Sequence, residues 1–280
     1  MGQQSPLIKD QDLNRRRFIQ ASMAMLAGVS GLGPSKARVN PLDPNTSQSA
    51  ENPYSHLEVI ATEFPEAEKY IPLVLEAVDK HKETFNVDPV LFLGLIKQES
   101  GFGKCLISAM GAAGPVQFMP STAQDMGMKV HLPDPDYFAE AGKLYREAGR
   151  DIKEAIDLFK EAQWNEAILS MERGQKAKAE ATELFDRYSK ELQQITEGRS
   201  QAELRYIDER FVDCIAVDKG VAHLAALLRS REGDVREALS GYNAGLGRVK
   251  EYEGIPCIQE TVVFQNRIVN FYKCWAPRAR

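Results

Sequence analysis

The residue best placed to do chemistry is a glutamate at the end of an apolar segment. Residues 90–99 read Val-Leu-Phe-Leu-Gly-Leu-Ile-Lys-Gln-Glu, and a helix over them would be apolar on nearly every face and therefore buried. Apolar neighbours and the negative end of the helix dipole both disfavour a charged Glu99, so its pKa is predicted to be raised. A carboxylic acid that keeps its proton near neutral pH can act as a general acid.

Several helices are predicted to position this glutamate. Asp88 is expected to cap its helix, Pro89 to occupy the first helical position, and Gly101 to end it. The Gly- and Ala-rich stretch over 101–118 is predicted to be a loop whose backbone can approach a ligand closely. No segment alternates as a strand does, so the predicted fold class is mainly α, with further helices over 56–63, 67–85, 217–229, 235–242 and 259–272.

Composition excludes several classes of protein. The 280 residues are 43% hydrophobic and 27% charged, as in ordinary soluble globular proteins rather than disordered or polytopic membrane chains. The net charge of −5 falls to −8 without residues 1–37, so we expect no nucleic-acid partner. No two cysteines have the short spacing of a zinc site, and neither a metal nor another cofactor is expected.

The first residues are typical of an export signal. Asn14-Arg15-Arg16-Arg17-Phe18-Ile19 is similar to a twin-arginine pattern, and a short apolar run and a small-residue cleavage site follow it. We therefore predict an export signal over 1–37, a flexible linker over 38–55 and a periplasmic location, with a membrane tether if the signal is not cleaved. A general export signal that happens to contain three arginines is the alternative.

A charged segment interrupts the chain at 129–207, where 13 Lys/Arg and 16 Asp/Glu occur in 79 residues. Its apolar residues recur at steps of four and three, first over 141–159 and again over 181–195. This spacing predicts a helical hairpin with one apolar seam and a bend or break between Ala162 and Gly174. We expect it to project into solvent as an insertion and to offer a surface for a protein partner.

Four motifs in order give the chain its resemblance. Lys97-Gln98-Glu99-Ser100-Gly101-Phe102 resembles the catalytic motif of the transglycosylase SLT family, the lytic transglycosylases of bacterial cell walls. Residues 108–123, the Tyr-Asn-Ala-Gly sequence at 242–245 and the Ile-Pro…Glu-Thr sequence at 255–261 are similar to its other motifs. The sequence departs from the residues usual in the family at Pro115, Val116, His223, Gly241 and Phe264.

The resemblance implies a lysozyme-like catalytic domain over 56–128 and 208–280, with Glu99 as its catalytic residue. It implies peptidoglycan glycan strands as the substrate, cleaved without water to leave a 1,6-anhydroMurNAc end. Glu99 would act first as acid and then as base, while the sugar supplies its own C6 hydroxyl as the nucleophile. The residues implied to bind substrate are Ser100, Ser108, Gln117, Met119, Tyr242, Asn243 and Glu260.

Two other functions are compatible with the sequence. A hydrolytic muramidase of goose-lysozyme type would share the fold and Glu99 but use water, for which Glu260 is the candidate second carboxylate. A non-enzymatic scaffold would bind the cell wall through the groove and a partner through the hairpin. The presence of Glu99, Gln117, Tyr242 and Asn243 argues against the scaffold, which has no need of an acid.

The even number of cysteines predicts two disulfides in an oxidising compartment. A continuous helix between Cys257 and Cys274 would hold them about 25 Å apart, which excludes that pair. We favour Cys105–Cys257 with Cys214–Cys274, because Cys105 and Cys257 both follow active-site motifs.

Overall fold

A computed structural model describes residues 55–276, so the predicted export signal and all but the last residue of the predicted linker lie outside the described residues. Within 55–276 there is no strand, only two isolated bridges in the loop over 107–118. The predicted mainly α fold is confirmed. The helices are α1 (Ser55–Glu63), α2 (Ile71–His81), α3 (Pro89–Ser100), α4 (Pro120–Asp125), α5 (Tyr137–Lys160), α6 (Trp164–Thr196), α7 (Gln201–Ile207), α8 (Asp213–Ser230), α9 (Val235–Ala244), α10 (Leu246–Glu251) and α11 (Gln259–Trp275).

The described residues form two compact units. The first contains 55–104 and 213–276, and the second contains 105–212. The segment over 105–128 therefore lies in the same unit as the hairpin. The predicted division of the chain, with 129–207 inserted into a catalytic domain over 56–128 and 208–280, stays a prediction.

The core of the first unit is built around α3. Seven consecutive residues from Val90 to Ile96 are buried, as the apolar sequence predicts. The Asp88 carboxylate accepts hydrogen bonds from the backbone N–H groups of Val90 (2.8 Å) and Leu91 (3.4 Å), which fixes the start of the helix. Gly101 ends it in the left-handed conformation (φ 61°), and its N–H donates to the carbonyl of Lys97.

Helices α2 and α11 pack on α3, and α9 packs on both α8 and α11. A glycine sets the distance between α3 and α11, since a Cβ atom on Gly94 would lie 2.8 Å from the ring of Phe271. Helices α3, α9 and α11 thus belong to one packed unit, and the motifs around Glu99, Tyr242 and Glu260 lie on these helices or directly beside them.

The second unit consists of the segment over 105–128 with the short helix α4, the α5–α6 hairpin, α7 and the residues that follow it to 212. The predicted seam of the hairpin is buried at Ala141, Ala148 and Ala155 on α5, and at Ala181, Phe185, Tyr188 and Leu192 on α6. Phe159, which the spacing also assigned to the seam, is 37% exposed and contacts Trp164 near the tip. The periodicity therefore predicted the seam well except at its outer end.

The expected bend between Ala162 and Gly174 is shorter than predicted. Helix α5 ends at Lys160 and α6 begins at Trp164, with Ala162 in the left-handed conformation between them. Gly174 lies inside α6 and does not break it. Its missing side chain lets the two helices approach, since a Cβ there would lie 2.9 Å from Ile152 Cγ1.

The two predicted disulfides are not formed. Cys105, Cys214, Cys257 and Cys274 all carry free thiols and are exposed. The Sγ of Cys105 instead lies 3.6 Å from the carbonyl oxygen of Ile107. Helix α11 runs unbroken between Cys257 and Cys274, and its length holds that pair far beyond the roughly 7 Å that a disulfide allows. An even cysteine count was therefore insufficient ground for pairing.

Among the helices of residues 55–276, none combines the length and the apolar composition needed to cross a bilayer.

Candidate active site

Glu99 lies in the last turn of α3, where the buried helix meets the following loop. Its side chain is partly exposed, and the protein atoms around it raise the pKa of its carboxyl from 4.5 to about 8. Burial is the larger cause, and the negative charge of Glu260 is the second. The raised pKa means that Glu99 carries its proton at neutral pH, as a general acid requires.

Ser100 closes the helix beside Glu99. It is buried, its hydroxyl donates to the carbonyl of Ile96 (3.2 Å), and its oxygen accepts the N–H of Gly103 (3.0 Å). These bonds fold the chain back directly after the acid. A contact between Ser100 and substrate stays a prediction, while its bonds show that it shapes the loop.

Tyr242 lies on α9 and interacts electrostatically with Glu99. Burial and the charge of Glu99 together raise the pKa of the Tyr242 phenol well above its usual value, so it stays neutral. The ring of His223, on α8, lies 5.2 Å from that of Tyr242. Burial lowers the pKa of His223, which favours a neutral imidazole near neutral pH. The histidine that replaces the tyrosine usual in the family thus packs on the predicted substrate-binding tyrosine.

Asn243 follows Tyr242 and is held from α11. The hydroxyl of Thr261 donates to the Asn243 amide oxygen over 2.8 Å, and Thr261 itself is buried. This bond fixes which end of the amide faces Thr261. Glu260, the neighbour of Thr261, is exposed in the first turn of α11. The structure therefore brings Glu99, Tyr242 and Glu260 into one electrostatic group, beside the Asn243–Thr261 pair.

The three remaining predicted site residues lie in the second unit. Gln117 has a left-handed backbone (φ 50°), and its Nε2 donates to the carbonyl of Gly114 (2.8 Å). Ser108 accepts the N–H groups of Met110 and Ala112 through its hydroxyl oxygen. Met119 is partly exposed and immediately precedes α4. Gln117 and Ser108 are thus tied into the loop that carries them.

The residues at three of the departures, Pro115, Val116 and Phe264, are buried. Pro115 and Val116 lie inside the loop of the second unit, and Phe264 is 4% exposed on α11. None of the three offers a polar group to the site.

Two residues that sequence reasoning did not select hold segments that carry predicted site residues, Thr261 in the first unit and Arg210 in the second. From the sequence, Thr261 was named only as a member of the fourth motif and was given no role. Local sequence does not reveal the hydrogen-bond partner of a threonine in the first turn of a helix. Arg210 is fully buried and bonds to the loop around Gln117. A single arginine followed by Phe211 and Val212 gives no local signal except that a charge adjoins apolar residues.

The chain matches the family model described as "Transglycosylase SLT domain" twice, over residues 76–193 and 159–261. The first match contains Glu99 and Gln117, and the second contains Tyr242, Asn243 and Glu260. Together they cover about two thirds of the chain. The chain belongs to the transglycosylase SLT family. No solved structure matches it.

The SLT family cleaves murein, so peptidoglycan is the substrate that family membership implies. The mainly α architecture of the described residues is that of a lysozyme-like SLT domain. Within this SLT domain, the acid with a raised pKa is the glutamate of the first motif, and its electrostatic neighbours are residues of the third and fourth motifs.

Proposed function

We propose that this chain is a lytic transglycosylase, which cleaves the MurNAc-β-1,4-GlcNAc bond of peptidoglycan and leaves a 1,6-anhydroMurNAc end. The observation that carries the proposal is the carboxyl of Glu99, at the end of the buried helix α3 and beside the charge of Glu260, whose pKa of about 8 keeps it protonated at neutral pH. It lies within residues 76–193, which match the SLT domain model, in the segment whose sequence resembles the family's catalytic motif.

The proposed reaction needs one proton carrier. Glu99 donates its proton to the glycosidic oxygen as the bond from that oxygen to C1 of MurNAc breaks. The N-acetyl group of the sugar stabilises the positive charge at C1. The Glu99 carboxylate then accepts the proton of the C6 hydroxyl while O6 bonds to C1, which restores the acid without consuming water.

The neighbours of Glu99 suit this cycle. Glu260 places a negative charge near the acid, which favours the protonated state before the first step. Tyr242 remains a neutral phenol and can pack against the sugar without adding a charge. Asn243, oriented by Thr261, offers its amide to hydroxyl or N-acetyl groups of the glycan.

One observation favours a hydrolytic muramidase as the second candidate. The charge of Glu260 acts on Glu99, so a second carboxylate is near the acid, as glycosidases that activate water require. Glu260 is exposed and can contact water.

The masses of the products separate the two reactions. Purified peptidoglycan is digested with the protein, and the muropeptides are analysed by mass spectrometry. The proposal expects ends one water lighter than the reducing ends made by a hydrolase. Reducing ends alone would establish the hydrolytic reaction, and undigested peptidoglycan would refute both.

Export belongs to the same proposal, because the substrate lies outside the cytoplasmic membrane. The arginines at 15–17 give the sequence its similarity to a twin-arginine signal. Cell fractionation is the test: the protein is expected in the periplasm, and replacing the three arginines with lysine is expected to retain it in the cytoplasm. Unchanged export of that variant would support a general export signal instead.

A further inference from the structure

The second unit has a buried arginine at its centre. Arg210 is fully buried, and its guanidinium pairs with the equally buried Asp208, with Nε 3.0 Å from Oδ1 and Nη2 2.7 Å from Oδ2. The planar guanidinium suits such a two-point pairing, which holds its remaining donors in fixed directions. Where those donors point decides what Arg210 organises.

Two of them reach the loop that carries Gln117. Nη1 donates to the carbonyl of Gly111 (2.9 Å) and to that of Phe118 (3.1 Å), which are the two ends of the segment. Between these ends, a Cβ on Gly114 would overlap the carbonyl oxygen of Arg210, so the loop and the backbone of Arg210 are in direct contact. The path of the chain from 111 to 118 is therefore set against residue 210.

The hairpin completes this arrangement. The hydroxyl of Tyr188, on α6, accepts Nη2 of Arg210 (2.8 Å) and donates to the carbonyl of His131 (2.7 Å). A Cβ on Gly111 would lie 2.6 Å from the Tyr188 ring, so the ring covers the start of the loop. The next residue, Ser189, donates its hydroxyl to the carbonyl of Ser108 (2.8 Å).

We propose that Arg210 and Tyr188 are positioning residues, through which the α5–α6 hairpin holds the loop over 108–118 in the shape that presents Gln117 to the glycan. This inference rests on the proposed function, which assigns Gln117 to the substrate. It makes the hairpin part of the substrate-binding machinery and not an appended projection. Because both residues are assigned to act through the loop that carries Gln117, the effect of changing them is expected in binding of the glycan.

The test uses the full-length Tyr188→Phe variant, which keeps the ring and removes the hydroxyl. The change removes the hydrogen bonds of the hydroxyl to Arg210 and to the carbonyl of His131, and only the first of these connects to the loop. The KM for soluble peptidoglycan fragments is therefore expected to rise roughly threefold to tenfold, the size of that one bond, with little change in kcat. The matched control is Tyr137→Phe, whose hydroxyl donates to Glu191 in the same unit and not to the loop. Its KM is expected to equal that of the wild type.

A second comparison asks whether the effect passes through Gln117. If it does, adding Tyr188→Phe to Gln117→Ala raises KM no further than Gln117→Ala alone. If the rises in KM caused by the two substitutions instead multiply in the double variant, the inference is overturned. An unchanged KM in Tyr188→Phe would also overturn it, even if the loop became more mobile, because the hydroxyl would then be merely structural.

Amide hydrogen exchange separates this inference from the proposed function. In Tyr188→Phe, peptides from 105–118 are expected to exchange faster than in the wild type, while peptides from α3 exchange as before. This measurement does not depend on enzymatic activity. If the wild-type protein proved inactive on peptidoglycan, the proposed function would be refuted, but the coupling between the Tyr188 hydroxyl and the loop could still be measured. Unchanged exchange over 105–118 would overturn the coupling itself.

Discussion

Thr261 donates its hydroxyl proton to the amide oxygen of Asn243 across 2.8 Å, and so joins the fourth motif of the chain to the third. The threonine is buried on α11, whereas Asn243 lies near the end of α9 and is partly exposed. The bond directs the amide oxygen of Asn243 toward the core. The amide nitrogen is then the end that can donate to a sugar.

The Thr261→Val variant is expected to weaken glycan binding. Valine keeps the shape of the side chain but cannot donate, and one lost hydrogen bond of about 0.5–1.5 kcal/mol corresponds to roughly a twofold to tenfold rise in KM. Thr261→Ser keeps the hydroxyl and is the matched control, with a KM near that of the wild type. Equal kinetics in the valine and serine variants would show that the bond does not position Asn243.

The rate on peptidoglycan is expected to fall as the pH rises past about 8, since Glu99 is then deprotonated and cannot act as an acid. Glu260→Gln removes a negative charge that raises this pKa, so the alkaline limb of kcat/KM is expected to move to lower pH. Glu251→Gln, which removes an exposed charge elsewhere in the first unit, is the control. A limb that stays in place in Glu260→Gln would contradict the electrostatic coupling between the two glutamates.

The raised pKa of Glu99 is also expected to make the stability of the folded chain depend on pH. Between pH 4.5 and about 8, folded Glu99 holds a proton that the unfolded chain has released, so its contribution to the free energy of unfolding falls as the pH rises. Glu99→Gln has no such dependence. Thermal melts from pH 5 to pH 9 should therefore show the Tm of the wild type falling relative to that of the variant. A difference in Tm independent of pH would argue that the pKa of Glu99 is not raised.

Two glycines of the hairpin are expected to respond oppositely to alanine. A Cβ on Gly174 would lie 2.9 Å from Ile152 Cγ1 and 3.1 Å from the carbonyl oxygen of Ala148, and such overpacking costs about 1–3 kcal/mol. A Cβ on Gly149 would meet nothing within 4 Å, so Gly149→Ala should stabilise α5 by about 0.5–1 kcal/mol. Urea unfolding measures both. Equal effects of the two changes would mean that α5 and α6 do not approach at Gly174.

The sequence was sufficient for features that depend on neighbouring residues. The cap at Asp88 and the end of α3 at Gly101 follow from local chemistry, and each lies where it was predicted. The raised pKa of Glu99 follows from local chemistry as well, while its role as the catalytic acid stays a prediction. The seam of the hairpin follows from its period. The predicted break near Gly174 was wrong. A glycine in a helical pattern suggests a break, and only the packed partner helix shows that its missing side chain leaves room for close approach.

The features that escaped prediction join distant parts of the chain. Arg210 bonds to carbonyls more than 90 residues earlier in the chain, and nothing near it in the sequence identifies them. The hydrogen bond from Thr261 to Asn243 forms only because α11 and α9 pack with these two residues opposite each other. The predicted disulfides were wrong because a count of cysteines contains no information on their distances.

Digestion of purified peptidoglycan by Glu99→Gln tests the role of Glu99 most directly. Glutamine has the size of glutamate but can neither donate a proton to the glycosidic oxygen nor accept one from the C6 hydroxyl. With circular dichroism confirming the fold, the release of muropeptides is expected to fall about 10²–10⁴-fold, while Glu251→Gln stays near the wild-type rate. Release by Glu99→Gln at close to the wild-type rate would contradict the assignment of Glu99 as the catalytic acid.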